Sequence, residues 1–173
     1  VKGIKVPFLT RDELLEQISL MRPRFTDYQS FAEAKLSDIF TEDELKDAKI
    51  YQVTELKTSL FSLNTGGKYE SKPLPSIVQS SPIFAFQIAD VNADGHLDIG
   101  MAGNMNHAKL RIGKMDANYG LLLLGDGQLN FNLVPQKKSG FWLKGDVRSM
   151  LKVEDRWYFG INSLGVESYK MLK

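Results

Sequence analysis

The apolar positions change period once along the chain. Leu14, Leu15, Ile18 and Met21 recur at helical spacing behind Thr10, and Glu13 three residues after Thr10 completes a capping-box pattern. Pro23 stops that run. Thr26-Asp27 opens a second short helix carrying Tyr28, Phe31 and Ala32. Ser37 to Phe40 and Thr41 to Leu45 read as two further helical turns, with Thr41 and Glu44 forming another capping box. Ahead of all these, Ile4, Val6 and Phe8 alternate around Pro7, as an edge strand or an extended lead-in does. Residues 1–48 are therefore predicted to be a mainly helical lead-in segment.

From Ile50 the period is two, punctuated by Gly, Asn and Pro, which is a β signature. Tyr51, Val53, Leu56, Leu60, Phe61 and Leu63 predict two short strands, and Asn64-Thr65-Gly66-Gly67 a tight turn. Tyr69 restarts a strand that Pro73 and Pro75 end. Ile83 to Ile88 and Leu97 to Gly103 are the next two, and Asn104 to Lys114 is polar and irregular. Tyr119 to Leu124 is a continuous apolar run, the pattern of a strand buried on both faces. After the turn Gly125-Asp126-Gly127, Leu129 to Leu133 alternates. Strands at Val147 to Val153, Trp157 to Ile161 and Val166 to Met171 follow, joined by turns at Glu154-Asp155 and Asn162 to Gly165.

Within this half, Leu60 to Tyr69 is echoed by Leu121 to Phe131 with one residue inserted, and Tyr158 to Asn162 reads as a third, degraded copy. Repetition of a strand–turn–aromatic unit favours four-stranded sheets stacked around an axis. The expected class is mainly β, with two to three antiparallel propeller blades over residues 49–173.

Between two of the predicted strands lies Asp90-Val91-Asn92-Ala93-Asp94-Gly95-His96-Leu97-Asp98. Oxygen-bearing side chains stand at loop positions 1, 3, 5 and 9, and Gly occupies the bend at position 6, a pattern that wraps a hard cation. The predicted ligands for Ca2+ are Asp90, Asn92, Asp94 and Asp98, with the backbone carbonyl of His96. An acidic turn without metal is the plainer alternative. Position 12, where an EF-hand carries a bidentate Glu, is Met101, and the flanking segments read as strands, so EF-hand and dockerin-like helical modules fit poorly.

Composition narrows the classes further. The net charge of +1 comes from 22 basic and 21 acidic residues that are well mixed, so no phosphate-neutralising patch points to nucleic acid. Cysteine is absent, which excludes a disulfide framework, a zinc–thiolate site and thiol catalysis. No apolar stretch is long enough to span a membrane, and no signal peptide stands at Val1. The expectation is of membrane association only through parts outside this chain. No nucleophile elbow, metal-spaced histidine pair or phosphate loop is present, and no catalytic residue is predicted. His107 reads as an exposed loop residue. Trp142 and Trp157 read as packing residues, with stacking on sugars as the alternative. Asp146 and Arg148 suggest a local ion pair.

The strand–loop–strand form resembles the integrin-type FG-GAP repeat, whose Asp-x-Asn-x-Asp-Gly-x-x-Asp loop binds calcium inside a propeller blade. A longer ordered series resembles bacterial repeat proteins, of the VCBS type, related to the cartilage acidic protein and UnbV family. It runs through Leu74-Pro75, Gln79, Ser81-Pro82, Asp90 to Asp98, Ala102-Gly103-Asn104, Asp116-Ala117, Gly120 to Gly127, Phe131, Ser139-Gly140 and Gly145 to Arg148. The resemblance implies the last blades of an exported or surface-attached bacterial β-propeller without an established catalytic site, and it carries the same calcium ligands onto Asp90, Asn92, Asp94, His96 and Asp98. The expected function is a calcium-stabilised binding or scaffold module that recognises a glycan or a protein, with Asn104 to Lys114 as the contact loop. The alternative is an accessory domain of a secreted polysaccharide-active enzyme.

Overall fold

Thr10 caps the first helix, α1 (Arg11–Gln17): its hydroxyl accepts the Glu13 N–H while the Glu13 carboxylate accepts the Thr10 N–H at 2.8 Å. The computed structural model in which this is seen describes residues 5–170, and the chain divides into two units, Val1–Thr54 and Glu55–Lys173. Ile4 and Met171, both assigned above to extended segments, lie outside the described residues.

In the first unit the predicted helices form, though α1 stops at Gln17. Ile18 leaves helical dihedrals, and Ser19–Met21 continues as a 3-10 turn that still buries Met21. The other helices are α2 (Tyr28–Ala32), capped by Asp27, α3 (Leu36–Ile39) and α4 (Glu42–Leu45), which carries the expected Thr41–Glu44 box. Helices this short are unstable alone, and packing holds them. Leu14, Leu15, Met21, Phe25, Phe31, Ala34 and Ile39 make one core, with Phe25 edge-on to Phe31 at 5.3 Å.

Residues 48–58 contain no strand, which corrects the expectation for Tyr51, Val53 and Leu56; all three side chains are exposed. A β-prone segment becomes a strand only beside a neighbouring edge. The first residue so placed is Thr58, whose N–H and C=O are both bound by the Gln79 side-chain amide.

The second unit is mainly β. A hairpin, β1 (Ser59–Leu63) with β2 (Tyr69–Pro73), is followed by a 3-10 turn at Ser76–Ser80. Then come β3 (Ile83–Ala89), β4 (Asp98–Gly103), β5 (Leu121–Gly125) and β6 (Phe131–Leu133), antiparallel in that order as a four-stranded sheet. After α5 (Gln136–Ser139), β7 (Val147–Val153), β8 (Arg156–Ile161) and β9 (Gly165–Lys170) form a three-stranded sheet. The predicted β class therefore holds. The sheets have two, four and three strands, however, and none closes on itself among the described residues.

The four-stranded sheet is covered on both faces, which explains the unbroken apolar run of β5. Leu122 joins Ala85, Ala102, Phe141, Val147, Trp157 and Phe159 on one side, while Leu123 joins Leu74, Val78, Ile99 and Met101 on the other. Gly100 is the point of closest approach: a β-carbon there would lie 2.5 Å from both the Trp157 ring and the Met150 methyl.

Both echoed segments are hairpins, β1–β2 and β5–β6, and each leads through a proline into a short helical turn. The third proposed copy is a different element. Tyr158 to Ile161 belongs to β8, which pairs with β7 through a bulge after its first residue pair, as β4 pairs with β3. Its counterpart is β4. The last pairs of these two ladders are Ala89↔Asp98 and Val153↔Arg156, so the acidic loop stands where the next sheet has only the turn Glu154-Asp155.

Candidate metal centre

The acidic loop joins β3 to β4, as its flanking alternation predicted. The backbone enters the left-handed region twice, at Ala93 (φ 60°) and Gly95 (φ 85°). Glycine takes that conformation at no steric cost, which explains its place at the bend. These reversals aim consecutive N–H groups inward at the short side chains. Asp90 accepts from Asp94 N–H (3.2 Å) and Gly95 N–H (3.0 Å). Asn92 Oδ1 accepts from Asp94 N–H (3.3 Å), and its Nδ2 donates to Asp94 (2.8 Å). Asp94 also accepts the His96 N–H at 2.8 Å. That backbone bond first, and the Asn92 amide second, hold the Asp94 carboxyl below its ordinary range.

Asp98 differs from the rest of the set. It is 0% exposed, and its two oxygens accept Val91 N–H (2.8 Å) and Gly125 N–H (2.9 Å). One carboxylate thus ties the start of the loop to the end of β5. The side chain of His96 lies over Gly127, where a β-carbon would meet Nδ1 at 2.6 Å.

The five predicted residues are therefore neighbours in one loop, with the side-chain oxygens of Asp90, Asn92, Asp94 and Asp98 turned to backbone N–H groups. Among the described residues no three His, Asp, Glu or Cys side chains converge in ligating geometry. The donor chemistry fits a hard cation nonetheless, because every side-chain donor is oxygen. A carboxylate oxygen that accepts one N–H also keeps a further lone-pair site, so the observed bonds do not exclude a cation.

A second polar cluster forms where β4 leaves the sheet. Asn104 (φ 83°) is buried, accepts from Ser81 Oγ (2.8 Å) and Asn118 N–H (3.0 Å), and donates to the carbonyls of Asn118 (2.7 Å) and Gly145 (3.2 Å). Asp146 is also buried and accepts from Asn106 N–H (2.8 Å), Asn106 Nδ2 (2.7 Å) and Arg148 Nη2 (3.2 Å), with His107 Nδ1 at 3.4 Å. Burial pushes the Asp146 carboxyl up. The Asn106 N–H, His107, the Arg148 charge and the Asn106 amide together outweigh this and leave it below its usual range. The expected Asp146–Arg148 pair is present and His107 is exposed, as read from sequence. The hub role of Asn104 went unread. Its one sequence signal is a short amide directly after a predicted strand, a residue type that tolerates positive φ.

The two tryptophans separate. Trp157 is 0% exposed in the core, while Trp142 is 58% exposed and stacks on Tyr119 at 4.9 Å between ring centres. Asp126 accepts from Gln128 N–H (2.7 Å), Asn130 N–H (3.1 Å) and Asn130 Nδ2 (2.6 Å), and so acts as a turn residue.

Comparison with protein-family models, with curated proteins and with solved structures finds no match to this chain. No helix among the described residues is long and apolar enough to cross a membrane.

Proposed function

We propose that the second unit is a run of propeller-type blades, of the FG-GAP/VCBS kind, that works as a calcium-stabilised binding or scaffold module for a glycan or protein at the outer surface of a bacterial cell. The observation that carries this reading is the opposition of two ends of one sheet. In the up-and-down order β3-β4-β5-β6, the acidic loop lies at one end and the segment from Asn104 to Asn118 at the other. The first end braces, because Asp98 ties its own loop to β5. The second end presents. There a polar loop is held in shape by Asn104, Asp146 and the Met105↔Met115 bridge, and loops fixed on a rigid scaffold are where recognition groups are carried.

When bound, calcium would supply fixed positive charge among Asp90, Asn92, Asp94 and Asp98 and the His96 carbonyl. At the affinity of extracellular modules, about 0.1–1 mM, millimolar calcium adds about 0.4–1.4 kcal/mol by mass action. That suffices to fix a loop and is too small for a switch. Carboxylates held below their ordinary range, as Asp94 and Asp146 are, are ionised at neutral pH and act there as hydrogen-bond acceptors.

The test is thermal melting in millimolar calcium against EDTA, together with a glycan array probed by the intact chain. A melting curve indifferent to EDTA removes calcium from the reading. Bound glycan lost on Asn106→Ala assigns recognition to the presenting end.

A further inference from the structure

Between Gly140 and Lys144 exposed and buried positions alternate: Phe141 and Leu143 are each 1% exposed, and Trp142 between them is turned outward. The two buried neighbours hold it there. Phe141 packs edge-on against Trp157, Phe159 and Tyr169, and its carbonyl accepts from the Gln136 side-chain amide at 3.0 Å. Tryptophan carries a large apolar surface and is ordinarily well buried. Trp157 obeys that rule in this chain, and Trp142 breaks it on a fixed backbone.

The Trp142 ring lies nearly parallel to that of Tyr119, with 18° between their planes, and Tyr119 is exposed as well. The two residues come from segments that are bound to each other. Leu143 N–H donates to the Tyr119 carbonyl (3.0 Å), and the Asn104 side-chain amide donates to the carbonyls of both Asn118 and Gly145. The stacked pair is therefore built into the presenting end of the sheet, directly after the polar loop. A surface fixed in advance binds at a lower entropy cost.

Shape and surroundings select the ligand chemistry. A cation is held by a cage of rings closing round it, whereas two parallel rings offer a flat face. A protein hot spot needs a surround of contacts that excludes water, yet the nearest exposed residues along the chain, Asp116, Ala117, Gly140 and Lys144, are polar or small. A flat apolar face with donors and acceptors beside it matches a pyranose ring bearing equatorial hydroxyls. Such a ring has C–H groups on its faces and hydroxyls round its edge. We infer that Trp142, backed by Tyr119, is the stacking platform for a neutral pyranose unit of a glycan. The inference rests on the binding-module reading above and narrows its ligand.

The chain has two tryptophans and Trp157 is 0% exposed, so a fluorescence change on adding sugar reports Trp142. The test titrates the whole 173-residue chain with cellohexaose and chitohexaose, whose ring substituents are equatorial, and follows emission and its quenching by acrylamide. Saturable binding of at least one, with a blue shift and slower quenching, is the expected result. Trp142→Ala should weaken that binding about tenfold or more in calorimetry, the scale of a hot-spot aromatic. Trp142→Phe should lose less, because a smaller ring still stacks. Both variants should keep the circular dichroism of the parent, since the indole lies outside the core. If neither sugar protects Trp142 in the parent, the inference is overturned. Glycan-array binding undiminished by Trp142→Ala also overturns it, and leaves the binding-module reading standing on the Asn104 to Asn118 loop. A parent that binds no glycan on the array removes glycan from both.

Discussion

The guanidinium of Arg148 lies 4.1 Å above the centre of the Phe84 ring. Each is the extra residue of a β-bulge: Phe84 falls between the pairs Ile83↔Gly103 and Ala85↔Ala102, and Arg148 between Val147↔Ile161 and Ser149↔Gly160. A bulge bends its strand and re-aims the side chain it carries. Two neighbouring sheets are thus joined through their equivalent irregularities. Arg148 also donates to the Asn104 carbonyl (2.9 Å) and to Asp146, which connects this junction to the polar cluster at the end of β4.

Arg148→Ala is therefore expected to cost about 1–3 kcal/mol. The stacked cation contributes about 0.5–1 kcal/mol, and the rest comes from a buried Asp146 that loses a charged partner while keeping its two Asn106 bonds. Urea denaturation measures it. Arg148→Lys should recover only part, since an ammonium cannot stack and fork at once.

Two of the three aspartates of the loop, Asp98 and Asp94, are expected to behave differently. In EDTA, Asp98→Ala leaves the Val91 and Gly125 N–H groups without their acceptor and should cost about 2–4 kcal/mol. Asp94→Ala on the exposed side should leave stability in EDTA nearly unchanged, yet abolish any gain in melting temperature that calcium gives the parent. If both proteins gain equally from calcium, Asp94 is not a ligand.

Gly100→Ala places a methyl group against Trp157 and Met150 and should destabilise by about 1–3 kcal/mol, the usual range for overpacking. Met150→Ala in the same molecule frees space for that methyl. The double variant should then be more stable than the sum of the two single losses. Additive losses would show that the Trp157 ring alone sets the clash.

In the helical unit, Glu44 is drawn down to about 2, first by the Arg24 guanidinium and then by the Thr41 N–H and hydroxyl. Its folded value lies below its ordinary one of 4.5. The stabilisation is therefore complete above that ordinary value and is lost as pH falls towards 2. Carboxyl titration by NMR should find the low midpoint, and Arg24→Met should raise it. Because the pair is exposed, salt should weaken the effect.

Much of this architecture was legible beforehand where the determinants are local. The Thr10–Glu13 and Thr41–Glu44 boxes, the Asn64 to Gly67 turn and the strand limits Val147 and Val153 all depend on residues within a few positions of one another. The acidic loop was legible for the same reason, since apart from the bond of Asp98 to Gly125 its side chains and the N–H groups they accept lie within nine residues. Ile50 to Leu56 misled because β propensity needs an edge to act on, and no edge there could be read from sequence.

Alone, the sequence determined the change from a helical to a β segment, the antiparallel hairpins, and an oxygen-lined loop with glycine at its bend. Those features follow from backbone sterics and short-range hydrogen bonds, which travel with the residues themselves. Tertiary structure decided that Asp98 is a buried clasp on β5, that Trp157 is core while Trp142 is surface, and that Asn104 gathers three segments. Each of these depends on a partner between about 20 and 60 residues away, brought near by the stacking of sheets that no local pattern encodes.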